Sequence, residues 1–159
     1  MPIPHARRMN LIALALLITG LVSLIAFHPF VFVDHRPNDE AMHGWQIWPE
    51  IWRTIKSPDF NDIQSLIATS AFLTSLLLVA GAPFSIPLLR VSRLAWWLAI
   101  FVSGLALIGL SGVLIMNYSD TSATVGPGFY CLIASQALNF LGLLFIRREI
   151  PAAPEVDPA

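Results

Sequence analysis

Only one cysteine, Cys131, occurs in the 159-residue chain. No intramolecular disulfide is possible, so no covalent staple holds the long segment between the first two apolar runs. CxxC redox chemistry and cysteine-based zinc sites are excluded on the same ground. Cys131 itself lies in an apolar run, where a free thiol behaves as a small hydrophobe. Charge is scarce as well. Asp, Glu, Lys and Arg make up 12% of the residues, about half the share of an ordinary soluble domain. The hydrophobic share is 56% and the mean hydropathy +0.71, a balance that points to a membrane. The net charge of −1 leaves no basic excess to neutralise a phosphate backbone, so nucleic acid is not an expected partner.

Ionisable residues are also missing from the interiors of four long apolar runs, at 9–27, 63–82, 94–116 and 129–146. Intramembrane acids, bases and histidines mark ion pathways and proton relays, so their absence argues against a proton-coupled pump. It argues equally against a haem held between helices, which needs axial ligands at that depth. His5 and His28 sit at run edges, and His35 and His43 lie between runs. No cofactor is expected.

Each run is long enough to cross a hydrocarbon core of roughly 30 Å as a helix. The first follows Arg7 and Arg8, which invites comparison with a signal peptide. Its apolar stretch is too long for that, and Phe27, His28 and Pro29 offer no small-residue cleavage site, so it reads as an uncleaved anchor. Pro29 should end or kink the helix. Pro83 and Pro87 should end or bend the second run, and two arginines with no acid fill the short connection at 88–93. Gly126, Pro127 and Gly128 read as a turn into the fourth helix.

Orientation follows from the basic residues. Of the nine Lys and Arg, all but Arg36, Arg53 and Lys56 fall at one set of run ends. The positive-inside rule puts both termini and the Arg90 turn in the cytoplasm, in a plasma or bacterial inner membrane. The expected fold is all-α, a four-transmembrane-helix up-down-up-down bundle with a short interfacial amphipathic helix in the first outer loop. Residues 1–8 form the cytoplasmic N-terminus and residues 9–148 the membrane domain. The spans lie at about 9–32, 63–86, 94–116 and 128–146, and the outer loop at 34–62. Residues 149–159, rich in Pro, read as a disordered cytoplasmic tail.

The outer loop holds Trp45, Trp48 and Trp52, three of the five tryptophans. Asn38, with Asp39 and Glu40 behind it and Gly44 at the far end, suggests a first short helix. A second starts near Pro49. Trp48, Ile51, Trp52 and Ile55 follow helical spacing, and Trp45 extends the stripe. Such a helix is too short to span a bilayer and suits the headgroup level, where Trp rings prefer to lie. These five residues are the expected interfacial or partner-binding surface. Ser57, Pro58 and Asp59 signal the start of the next helix.

Three further groups stand out. Ala71 and Ser75, Ala99 and Ser103, and Gly109 with Gly112 are small residues at spacings that let helices approach closely. Gln136 and Asn139 share one face of the fourth helix, as a possible polar cavity or as interhelical hydrogen-bonding partners. Asp34, His35, Asp39, Glu40 and His43 contain the only weak metal candidates, with Asp39 and His43 four apart on the expected short helix. No metal is expected, because a charged loop at a membrane surface needs none. No nucleophile–base pair assembles: Ser23 and His28 would not face each other on one helix.

The outline of four spans, a long Trp-bearing first outer loop and a short second one is similar to that of claudin-like tetraspan proteins. Gly44, Trp45 and Trp48 loosely resemble their loop motif. The paired loop cysteines of that family are absent here, so its strand-forming and paracellular functions do not carry over.

Three functions follow from these residues. The first is a non-enzymatic multi-pass membrane protein, an accessory or scaffold subunit of a larger assembly, whose partners are the lipid bilayer, other membrane subunits or a second copy. The second is a small transporter or lipid-binding module with a cavity near Gln136 and Asn139 covered by the Trp-rich loop. The third is an enzyme using the cluster from Asp34 to His43.

Overall fold

The structure is a computed structural model that describes residues 5–35, 41–119 and 123–147. Asp39, Glu40, Asp120, Arg148 and the tail at 149–159 lie outside these, as do the side chains of Arg7, Arg8, Asp34 and His35. The elements in chain order are α1 (His5–Phe27), β1 (Val31–His35), β2 (Met42–His43), a 3-10 turn (Gly44–Gln46), α2 (Ile47–Lys56), α3 (Ile63–Val91), α4 (Arg93–Ser119), β3 (Ala123–Val125) and α5 (Pro127–Phe145). The chain is mostly helical, and four of its helices are long and apolar enough to cross a membrane.

Helix α1 stops at Phe27, before Pro29. Residues 28–32, counted with the first span on sequence grounds, are therefore a turn and the start of a strand. A proline lacks the amide that would continue the helix, and the β-branched and aromatic run behind it favours extended backbone. β1 is the middle of a three-stranded antiparallel sheet of order β2-β1-β3. Val33 lies opposite Val125 and His35 opposite Ala123 on one side, and Val31 lies opposite His43 on the other.

The all-α class holds for the bulk of the chain, and this small sheet is an addition to it. The short helix expected to end at Gly44 is replaced, over its described part, by strand β2 and the 3-10 turn. The reason lies at Gly44. Its amide donates to the Phe30 carbonyl at 3.0 Å, and a Cβ there would stand 2.2 Å from the Phe27 carbonyl oxygen. The glycine marks a close backbone approach, not a helix stop.

Helix α3 runs through both Pro83 and Pro87 to Val91. Prolines four apart remove only the amides that would reach Val79 and Pro83, so the rest of the helical ladder is kept. Ser85 Oγ donates to the Gly81 carbonyl at 2.9 Å in the same turn. The expected helix-start signal at Ser57 to Asp59 is displaced to Asp62, whose side chain accepts from the Ser65 amide at 3.0 Å. Ser92 alone separates α3 from α4. Its amide donates to Leu88, closing one helix, and its hydroxyl accepts from Ala95, opening the next.

Residues from the four long helices meet in two clusters. Ala13, Leu17, Ala82, Leu89, Ile100 and Leu143 pack at the end that carries Arg90, Arg93 and Arg147. Leu24, Phe27, Ala71, Phe72, Leu110 and Leu132 pack at the other, together with Phe32 of the sheet and Ile51 of α2. Between α1 and α5, Gly20 lies against the Ser135 carbonyl and Gly142 against Leu17, and the Arg147 amide reaches Asn10 Oδ1 at 3.1 Å. These contacts run in opposite chain directions. A Cβ at Gly142 would sit 2.7 Å from Leu17 Cδ2. Gly142→Leu is expected to lower stability by about 1–3 kcal/mol, measured as a fall in melting temperature of the detergent-purified protein, whereas Gly112→Ala, with nothing within 4 Å, should leave it unchanged.

Candidate functional site

The chain leaves α1 through the sheet and returns as α2, which is laid across the end of the bundle. Two ring systems hold it there. Trp48 meets Phe72 of α3 edge-on, with centroids 5.5 Å apart, and its indole nitrogen donates to His28 Nε2 at 3.3 Å. His28 Nδ1 faces the Leu24 carbonyl at 3.2 Å. An indole only donates and a carbonyl only accepts, so the two partners together suit a ring that donates from Nδ1 and accepts at Nε2. His28 is thus the fastening point between α1 and α2. His43 Nδ1 contacts the Pro29 carbonyl at 2.9 Å, and the His43 amide donates to Gln46 Oε1 at 2.6 Å, which fixes the turn into α2. Pro49 falls inside the first turn of α2, where its missing amide has no partner to lose.

The Trp-bearing stripe divides when the helix docks. Ile51 is buried, and Ile47 and Trp48 are half-buried against the bundle. Trp45, Trp52 and Ile55 are exposed, and Lys56 Nζ sits 5.2 Å from the Trp52 ring. Glu50 and Arg53 form an ion pair on the outer side.

Under α2 lies a cavity of about 450 Å³, within the size range of small-ligand sites. Its floor is apolar: Phe32 from the sheet, Ile51 from α2, Phe72 from α3, Leu110 from α4, and Phe129 and Leu132 from α5. Its rim is polar, with Glu50, Arg53, Ser57, Asp59, Asp62 and Ser65. A second concavity of about 370 Å³ runs between α3 and α4, lined by Ile63, Leu66, Ile67, Ala71, Leu105 and Gly109 among others. Leu66 lines both.

Gln136 and Asn139 do not line either cavity. Both are fully buried, and both turn to Ser103 of α4. Gln136 Nε2 donates to the Ser103 carbonyl and hydroxyl, each at 2.9 Å, and Asn139 Nδ2 donates to the same hydroxyl at 3.3 Å. Gln136 Oε1, Asn139 Oδ1 and Ser75 Oγ have no hydrogen-bond partner among the described residues. The small residues fall into different roles. Ala71 meets Gly109 between α3 and α4, where a Cβ on the glycine would be 2.9 Å from that of Ala71. Ser75 and Ser103 are buried, Ala99 is half-buried, and a Cβ added at Gly112 would meet none of the described residues within 4 Å.

The cluster from Asp34 to His43 is only partly described. Asp39 lies outside the described residues, and His43 sits on a strand, so the helical spacing that linked the two does not exist at His43. Among the described residues, no three His, Cys, Asp or Glu side chains converge. The sequence reading missed His28, Phe32, Phe72 and Phe129. They are far apart in the chain and carry no shared period. Only the aromatic residues at the ends of the runs hinted at a common layer.

Comparison with family models, with curated proteins and with solved structures finds no match for this chain.

Trp48→Phe keeps the ring against Phe72 and removes the donor to His28. It is expected to cost about 1 kcal/mol and to raise amide hydrogen exchange throughout α2 without changing exchange in α5. Ser103→Ala withdraws the hydroxyl that both amides share. A loss of about 1–2 kcal/mol is expected on unfolding in detergent, and Ser103→Thr, which retains a hydroxyl, should recover part of it.

Proposed function

We propose that this chain is a four-pass integral membrane protein, an up-down-up-down bundle with both termini in the cytoplasm of a plasma or bacterial inner membrane. Its role is that of a non-enzymatic accessory or scaffold subunit. The observation that carries the membrane assignment is an inversion of polarity. Large apolar side chains face outward from the helices, with Phe84 81% and Leu77 72% exposed, while Ser75, Ser103, Ser135, Gln136 and Asn139 are fully buried. Water would favour the reverse arrangement. Lipid tolerates the apolar exterior, and buried hydroxyl and amide groups then bind helices to one another.

The basic residues support the orientation. Arg90, Arg93 and Arg147 share one end of the bundle, and the sheet and α2 lie at the other. Exposed Trp52 and Ile55 on α2, with Trp45 in the 3-10 turn before it, suit an amphipathic helix lying at the outer headgroups, with Lys56 over the Trp52 ring. The accessory role draws support from the centre of the bundle. Its amides close onto Ser103 and line neither concavity, an arrangement that suits helix cohesion better than a polar transport pathway.

Topology is tested with single cysteines in a Cys131→Ser background. An impermeant maleimide added to intact cells should label Ser57→Cys and spare Ser92→Cys until the membrane is opened. Labelling of both positions, or of Ser92→Cys alone, overturns the orientation. For the accessory role, native purification in mild detergent should bring down a stoichiometric membrane partner. A lone monomer at native expression levels overturns that part.

A further inference from the structure

We infer that the cavity beneath α2 is a binding site for a zwitterionic, amine-bearing phospholipid taken from the outer leaflet. The inference rests on the membrane reading above and goes beyond it. The first argument is the lining. Six apolar side chains from five different elements form the floor, and three of them, Phe72, Phe129 and Leu132, are otherwise fully enclosed in the core. A cavity this size with an apolar floor suits hydrocarbon better than water. The charged groups are confined to the rim, and Thr69 is the polar side chain that α3 adds between Ser65 of the rim and Phe72 of the floor. This is the polarity of an amphiphile, with a tail inside and a head at the mouth.

The second argument is adjacency. Leu66 is a wall of both the cavity and the outer furrow between α3 and α4. That furrow is lined by Ile63, Ile67, Val102 and Leu105, on the face that meets hydrocarbon. One acyl chain then occupies the cavity and the second lies along the furrow on the other side of Leu66. The third argument is charge. Among the described residues the rim carries Glu50, Asp59 and Asp62 against Arg53, and Arg53 is already paired with Glu50. A head of net negative charge meets repulsion there. A head with an ammonium beyond its phosphate directs the ammonium to Asp59 and Asp62 and the phosphate towards Arg53 and the hydroxyls of Ser57 and Ser65.

The test uses the full chain in a neutral detergent, so it is independent of topology. The protein is incubated with phosphatidylethanolamine or phosphatidylglycerol of identical acyl chains, and retained lipid is counted by native mass spectrometry. Retention of one phosphatidylethanolamine per chain is expected, with phosphatidylglycerol retained more weakly. Thr69→Trp fills the cavity from α3 and should abolish retention at an unchanged melting temperature. Ser65→Phe closes the mouth and serves if Thr69→Trp does not fold. In Asp59→Asn combined with Asp62→Asn, where Asn still caps α3, the preference should shrink by about fivefold, the scale of an exposed charge pair. Equal retention of both lipids, a preference for phosphatidylglycerol, or undiminished binding in both filled variants overturns the inference. None of these outcomes touches the labelling result.

Discussion

The close approach of α1 and α5 sets the rest of the architecture. Gly20 and Gly142 let the two helices meet nearly backbone to backbone, in opposite chain directions. The end of α1 and the start of α5 therefore lie side by side, and the segments that leave one and enter the other have to run together. Their backbone amides and carbonyls find partners by pairing, and β1 and β3 are the result. β1 then has one edge left, and Met42 and His43 take it. That pairing places the following turn and α2 across the end of the bundle. A sheet of only a few residues thus follows from helix packing below it, and the cavity follows from the sheet.

Within the bundle the polar side chains serve cohesion. Helices gain little from hiding apolar surface when their surroundings are equally apolar, so packing and hydrogen bonds must hold them. Ser103 lies where α4 meets α5 and accepts from two amides at once. Ala71 against Gly109 brings α3 to the same helix by shape alone. Helix α4 is thereby tied to one neighbour by chemistry and to the other by close contact.

Much of this was legible in the chain. The four uncharged runs map directly onto the four long helices, because a continuous apolar run leaves few alternatives. The turn into α5 was equally readable from Gly126 and Pro127, which occupy its cap and first turn. The sheet was not. Its strands are short and distant in sequence, and Gly44 carries a helix-stop signature that here serves tertiary contact. The Trp stripe was read as one surface because spacing identifies which residues share a helix face, not how wide a face the rest of the protein covers. Docking against Phe72 and His28 splits it, and neither partner is near it in sequence. The pairing of Gln136 and Asn139 on one face was visible, but their common acceptor lies a helix away.

Helix α3 has 29 residues, a length of about 43 Å at 1.5 Å per residue. A bilayer core is only about 30 Å thick. In lipid the surplus has to be absorbed by leaning or by emerging on one side. Pro83 and Pro87 both fall in the last third of the helix, where missing amides loosen the ladder and ease a change of direction. Arg90 stands beyond them. Ala82 and Leu89, buried among Ala13, Leu17, Ile100 and Leu143, hold this last third of α3 to the bundle, so any such lean would have to carry α1, α4 and α5 with it.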